Sequence, residues 1–130
     1  MIDDSKVLRD FLLASSITVL TGSRIWAERD TPPPGYEPGL GNAICFKRRG
    51  GSELDESSAI LGDSYQFKCY AGTEIAANAL YRMLYDVLHE QRSSSILFAQ
   101  VEVAGETLRE QEDKSWIFVL TFFRVLVRNP

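Results

Sequence analysis

The sequence has few of the residues that carry most metal and nucleophilic chemistry. Its 130 residues include one histidine, His89, and two cysteines, Cys45 and Cys69. No CxxC or HxxxH spacing is present, so no zinc motif can be recognised. A catalytic triad needs a nucleophile, a base and an orienting group brought together, and nothing beside His89 or the cysteines indicates one. We therefore expect no catalytic residue, no metal and no cofactor.

The sequence also lacks the features of membrane, secreted and nucleic-acid-binding proteins. No apolar run reaches the length of a membrane span, and no basic segment leads into an apolar one as in a secretory signal. Fourteen basic side chains against 18 acidic ones give a formal net charge of −4. This negative charge argues against a nucleic-acid-binding protein that neutralises phosphates. It is compatible with a protein past which DNA moves without being bound. We expect assembly in a cytoplasm.

The two cysteines lie in apolar runs that are typical of strands. Free cysteine is among the most often buried residue types, so we interpret Cys45 and Cys69 as buried, reduced thiols. A disulfide would be open to them only if their two strands are neighbours.

Hydrophobic periodicity predicts a single domain over residues 1–130, with elements in the order α, β, β, β, α, β, β. The helices span 3–14 and 74–91, and the strands span 24–28, 43–49, 63–71, 95–104 and 116–128. A short helical turn ends near Gly22. This order predicts an α+β fold: an antiparallel sheet of about four to five strands with two helices packed on one face.

The second helix has a clear start and a wide apolar stripe. Thr73 is a suitable N-cap, and Glu74 lies in the first turn, where a carboxylate favours the helix dipole. The predicted buried stripe consists of Ile75, Ala76, Ala79, Leu80, Met83, Leu84, Val87 and Leu88. A stripe of this width can cover much of one sheet face.

The last predicted strand is apolar on both of its faces. A strand with one solvated face should alternate apolar and polar residues, yet Trp116, Phe118 and Phe122 all fall on the side opposite Val119 and Phe123. Since the helices cover one face, we expect a neighbouring subunit to cover the other. Trp116, Phe118 and Phe122 are therefore candidate subunit-interface residues.

Two long connections, 29–42 and 50–62, flank the strand 43–49. Connections of this length are uncommon in compact domains unless they have a function, so they are either tolerated insertions or arms that contact other subunits. The candidate contact residues are Pro32, Pro33, Pro34, Tyr36, Glu53, Asp55 and Glu56. The acids of the second connection lack the alternate spacing of a calcium loop.

Three consecutive cations, Lys47, Arg48 and Arg49, end the strand 43–49. They are candidates for pairing with acidic residues of a neighbouring subunit. Alternatively, they are edge-strand charges that prevent aggregation.

The order of these segments resembles that of the tail terminator, or tail completion, proteins of long-tailed bacteriophages. In that family a first helix leads to a V-G-x-R-I-x segment, which is similar to "LTGSRIW" at 20–26 here. A proline-rich loop and a strand follow, then "YQFKCYAGTEIAANALYRMLYDVLH". Two closing strands with an acidic, arginine-containing link resemble "QVEVAGETLREQEDKSWIFVLTFFRVLV". The resemblance covers nearly the whole chain and rests on the order and spacing of the segments.

The resemblance implies a non-enzymatic virion protein at the head–tail junction. Such proteins form a ring, usually hexameric, that caps the tail tube, stops its polymerisation and joins it to the head connector, with DNA passing through the channel. The implied partners are further copies of the chain, the tail tube protein and the head connector or neck protein, without a membrane and with assembly in the host cytoplasm.

Other functions remain open at this point. One is a neck stopper or tail tube protein of the same virion. A second is a small-molecule-binding α+β enzyme that uses Cys69 or His89, and a third is a small dimeric adaptor that binds a partner helix.

Overall fold

A computed structural model of the chain describes residues 4–49, 63–90, 96–110 and 116–127. Within these ranges the chain forms one five-stranded sheet with helices on one face, which confirms the α+β class. The elements are α1 (Asp4–Leu13), α2 (Thr18–Thr21), β1 (Ile25–Ala27), a 3-10 helix (Pro38–Leu40), β2 (Ala43–Arg48), β3 (Asp63–Ala71), α3 (Glu74–Leu88), β4 (Ile96–Arg109) and β5 (Ile117–Val127).

The strand order in the sheet is β1-β2-β3-β5-β4. β2 and β3 pair antiparallel, and β5 is antiparallel to both β3 and β4. The expected fully antiparallel sheet is wrong at one pair, because β1 is parallel to β2. Parallel neighbours need a crossover that returns the chain to the same end of the sheet. The connection 29–42 provides that crossover.

The main core lies between the sheet and the helices, on what we call the inner face. Tyr65, Phe67 and Cys69, alternate residues of β3, all point into it. Phe67 stacks on Phe46 at 5.2 Å between ring centroids and meets Phe123 edge-on at 5.6 Å. The helices add Leu8, Leu12, Leu80, Leu84 and Leu88, all fully buried. Dense apolar packing on this face holds the two layers together.

Helix α3 begins where the sequence predicts, because the Thr73 hydroxyl accepts a hydrogen bond from the amide of Ala76 at 3.1 Å. Its predicted stripe is partly wrong. Ala77, outside that stripe, is fully buried, whereas Ile75 is 82% exposed. Successive helical residues are 100° apart, so Ile75 and Ala77 lie on nearly opposite sides of the helix.

Strand β4 extends to Arg109, five residues beyond its predicted end at 104. It is an edge strand with three register shifts against β5. Edge strands commonly carry polar residues and bulges, so the apolar alternation of the sequence predicts too early an end for this strand. Gly105 is required here, since an added Cβ would lie 2.6 Å from Val119 Cγ1 and 2.9 Å from Tyr81 Cε2.

Candidate functional site: the outer face of the sheet

The sheet face opposite the helices, which we call the outer face, carries a second apolar cluster. Its buried members are Tyr36, Ala43, Cys45, Tyr70 and Phe118, with Trp26, Leu108, Trp116 and Leu120 partly buried around them. Four of the nine are Trp or Tyr, so the cluster combines apolar rings with polar atoms near the surface. The sheet separates this cluster from the main core.

Residues 29–42, which we call the strap, cover part of the outer face. Tyr36 is their main anchor and is only 7% exposed. Its ring meets Trp26 and Trp116 edge-on, at 5.6 and 5.5 Å between centroids. Its hydroxyl donates to the Gly41 carbonyl oxygen at 2.6 Å. Burial raises the pKa of Tyr36 to about 12, against the charge of Arg24, so the phenol keeps the proton that it donates.

The predicted contact residues of the strap point in different directions. Pro32 and Tyr36 are buried within the protomer, Pro33 is half-buried and Pro34 is exposed. Contact of this segment with other subunits stays a prediction, and it applies most directly to Pro34. The other predicted contact residues, Glu53, Asp55 and Glu56, lie outside the described residues.

An ion cluster fixes the start of the strap to the sheet. One Asp30 carboxylate oxygen lies 3.4 Å from Lys47 Nζ and 3.5 Å from Lys68 Nζ, and accepts a hydrogen bond from Gln66 at 3.0 Å. Burial acts to raise the pKa of Asp30, but the Gln66 hydrogen bond and the charges of Lys68 and Lys47 outweigh it and lower that pKa. Asp30 therefore stays ionised at neutral pH.

A second ion cluster lies toward β4. The Glu102 carboxylate pairs with Arg124 at 2.7 Å and with Arg49 at 3.8 Å, and accepts a hydrogen bond from the Ser64 hydroxyl. Burial acts to raise the pKa of Glu102, but these donors and charges lower it overall. The protomer thus supplies acidic partners for Lys47 and Arg49, and Arg48 also has an interaction partner within the chain.

Two cations lie over aromatic rings of β5. Lys68 Nζ is 4.8 Å from the centre of the Phe118 ring, and Arg49 Cζ is 4.3 Å from that of Phe122. Cation–π contacts of this kind stabilise a ring that would otherwise face water. The chain itself therefore covers part of the face for which the sequence suggested a neighbouring subunit.

A strip of the outer face beside β4 remains partly open. Phe118 is 6% exposed, but Trp116, Leu120 and Phe122 are only half-buried. Val103 lies opposite Phe122 in the ladder and is 48% exposed. Directly opposed residues share a face, so Leu120, Phe122 and Val103 form one apolar strip. The interface roles of Trp116, Phe118 and Phe122 stay predictions.

The two thiols are buried on opposite faces of the sheet. Cys45 and Cys69 lie on neighbouring strands but are buried in different clusters, Cys45 on the outer face and Cys69 on the inner one, and both are free. Burial raises the pKa of Cys45 to about 12 and that of Cys69 further still, whereas a nucleophilic thiol needs a lowered pKa.

The His89 side chain has a structural contact. Its Nδ1 atom accepts a hydrogen bond from the Val101 amide at 3.1 Å, and its ring stacks on Tyr85 at 4.5 Å between centroids. The contact ties the end of α3 to β4. Among the described residues, no group of three or more His, Cys, Asp or Glu could hold a metal ion. None of the helices in those ranges is both long and apolar enough to cross a membrane.

Comparison with known proteins identifies the fold but no sequence family. No protein-family model and no curated protein sequence matches the chain. Six chains of solved structures match it. One belongs to a structure described as "Virion of native gene transfer agent (GTA) particle", with a TM-score of 0.57, 15% identity, and coverage of 94% of this chain and 92% of that chain. At that identity the likeness establishes a shared fold over nearly the full length of both chains.

Proposed function

We propose that this chain is a structural subunit of a phage-like virion, and specifically the tail terminator. The observation that carries the proposal is the fold shared, over 94% of this chain, with a chain of a gene transfer agent virion. The order of the sequence segments, which resembles that of tail terminator proteins, supports the finer assignment. Neither the thiols nor His89 offers a site that favours the enzyme alternative.

In this role, copies of the chain form a hexameric ring on the finished tail tube. The ring stops polymerisation of the tube protein and offers a face to the head connector or neck protein, and DNA passes through its channel. The net charge of −4 suits a channel that does not bind DNA, because like charges disfavour adhesion.

The partly open strip of the outer face is the proposed contact between copies. Leu120, Phe122 and Val103 supply its apolar surface. Lys68 of β3 and Glu106 of β4 lie on either side of Leu120 in the ladder. A neighbour placed head to tail around a ring would bring its Glu106 toward Lys68, in addition to the Asp30 pair that Lys68 forms within the protomer, and such complementarity fixes register and orientation.

A capping assay tests the proposal. Tube protein is polymerised with and without the purified chain, and tube lengths are measured by electron microscopy. We expect the wild type to cap tubes with a ring and Phe122→Asp to fail, because the change removes the aromatic ring of the strip and places a carboxylate in an apolar contact. Val19→Asp, at a position 80% exposed on α2, is the matched control and should cap normally. A wild-type chain that stays monomeric beside tubes and leaves them uncapped would contradict the proposal.

A second experiment separates the terminator from other virion roles. In particles that lack the protein, overlong tails indicate a terminator, whereas normal tails with leaking DNA indicate a neck stopper. A tail tube protein would instead polymerise into tubes by itself. Mass measurement of the isolated assembly distinguishes six copies from the two of a dimeric adaptor.

A further inference from the structure

We infer that Arg24 is the residue that positions the strap on the outer face of the sheet. Arg24 precedes β1, and its Nε donates to the Asn42 carbonyl oxygen at 2.9 Å. Its own carbonyl oxygen accepts from the Ile44 amide at 3.0 Å. The side chain and main chain of one arginine therefore hold the end of the strap on both sides of residue 43.

The guanidinium of Arg24 is packed directly against Gly41. A Cβ at Gly41 would lie 2.2 Å from Nη2 and 2.8 Å from Cζ of Arg24. Gly41 also has φ 131°, a backbone conformation that favours glycine. A Cβ added at Gly22 would lie 3.8 Å from Nη1 of Arg24, the other terminal nitrogen of the guanidinium. The plane of Arg24 thus lies between two glycines that are far apart in sequence.

The position of Gly41 in turn fixes the main anchor of the strap. The Gly41 carbonyl oxygen is the acceptor for the Tyr36 hydroxyl, and the Tyr36 ring closes the outer aromatic cluster. Arg24 therefore acts on the cluster through Gly41 and Tyr36, while Asp30 holds the start of the strap. With both ends and the middle attached, the exposed Pro34, Glu37 and Leu40 are presented at fixed positions.

Lysine cannot replace arginine in this role. The planar guanidinium provides both the Nε–H donor and a flat surface on which Gly41 packs, whereas a lysine ammonium is a compact point charge without such a plane. The glycine–arginine pattern in "LTGSRIW" is thereby assigned a physical function, which is to set the path of a segment about 20 residues later.

The first test compares Arg24→Lys with Arg29→Lys by hydrogen exchange of the isolated wild-type and variant chains. Arg29 is the matched control because its Nε bonds only within the strap, to the Thr31 carbonyl oxygen at 3.0 Å. We expect exchange of the amides in 36–42 to become roughly tenfold faster in Arg24→Lys, as for loss of a hydrogen bond to a charged group. Amides of β3 and α3 should be unchanged, and Arg29→Lys should match the wild type. Equal exchange in the strap of wild type and Arg24→Lys would overturn the inference.

The second test is a double-mutant cycle between Arg24 and Gly41. Gly41→Ala is introduced into the wild type and into Arg24→Ala, and denaturation midpoints are measured. Backbone strain at residue 41 is present in both backgrounds, so it cancels, and only the clash with the guanidinium is removed by Arg24→Ala. We expect Gly41→Ala to lower the midpoint less in the Arg24→Ala background. Equal losses would contradict the inference, and Arg24→Lys serves as the background if Arg24→Ala does not fold.

The inference concerns the protomer and is independent of the proposed ring. Both tests use isolated chains, so failure of the wild type to cap tail tubes would contradict the proposed function without changing their outcome. Where capping occurs, Arg24→Lys should weaken it and Arg29→Lys should not, a statement that does rest on the proposed function.

Discussion

The two faces of the sheet are covered in different ways. On the inner face, leucines of α1 and α3 pack on Phe46, Phe67 and Phe123, and all of these are fully buried. The outer face is covered instead by the irregular strap, two partly exposed ion clusters and two cation–π contacts. Apolar burial dominates folding stability, whereas exposed ion pairs contribute little and are screened by salt. The inner face therefore contributes most of the folding stability, and the covering of the outer face contributes less.

The largest expected effect is from truncating an aromatic ring on the inner face. Phe67→Ala should reduce the free energy of unfolding by about 3 to 5 kcal/mol, because it removes a buried ring and leaves a cavity between Phe46 and Phe123. Phe122→Ala is the matched change on the outer face. Since Phe122 is only half-buried, it should cost about 1 kcal/mol. Denaturant titrations of the isolated chain measure both, and similar losses would contradict the contrast between the faces.

A smaller effect is expected where the strap meets the sheet. Tyr36→Phe keeps the ring between Trp26 and Trp116 but removes the hydroxyl that donates to Gly41. The free energy of unfolding should fall by about 1 kcal/mol, the usual net value of a neutral hydrogen bond. The same titration measures it, with tryptophan fluorescence as the probe of the strap. A variant as stable as the wild type would show that ring packing alone anchors the strap.

The sequence predicts the inner face far better than the outer one. The bounds of β3, Asp63–Ala71, agree with the prediction, because its alternation is regular. The parallel pairing of β1 could not be predicted, since a strand of three residues carries no pairing signal. The burial of Tyr36 and Pro32 also escaped prediction, because a proline-rich segment has no periodicity from which an inward side can be read.

The ion clusters of the outer face could not be predicted from the sequence either. Asp30 and Glu102 are 72 positions apart and meet their cations only through the strand order of the sheet. The sequence indicates Lys47, Arg48 and Arg49 as candidates for pairing with a neighbouring subunit or as edge-strand charges, but the partners of Lys47 and Arg49 within the protomer depend on tertiary structure. Long-range charge pairing leaves no local pattern in a sequence, in contrast to the spacing of a helix face.

The acid stability of the outer face depends on carboxylates with lowered pKa values. Glu102 and Asp30 have folded-state pKa values below their usual 4.5 and 3.8. Their contribution is present above those usual values and is lost as the pH falls through the lowered folded pKa. Glu102→Gln should therefore flatten the decline in unfolding free energy as the pH falls from neutral through 4.5, the usual carboxyl value, toward the lowered folded pKa.

The matched control for this titration is Glu37→Gln, at an exposed position of the strap. It should leave the slope close to that of the wild type. Added salt should reduce the difference between wild type and Glu102→Gln, because both partly exposed pairs are screened. An identical pH dependence in wild type and Glu102→Gln would show that this ion cluster adds nothing to stability.

The smallest expected effect is at Ile75, which the sequence places in the buried stripe of α3 and the structure exposes. Ile75→Gln should change the free energy of unfolding by less than about 0.5 kcal/mol, since exposed positions tolerate substitution and glutamine forms helices at least as well as isoleucine. Ala77→Gln, two residues on, would force a longer polar side chain against the sheet and should destabilise the chain several times more. If denaturant titration showed Ile75→Gln to be the costlier change, the helix would pack through the stripe that periodicity predicts, which would contradict the observed inner face.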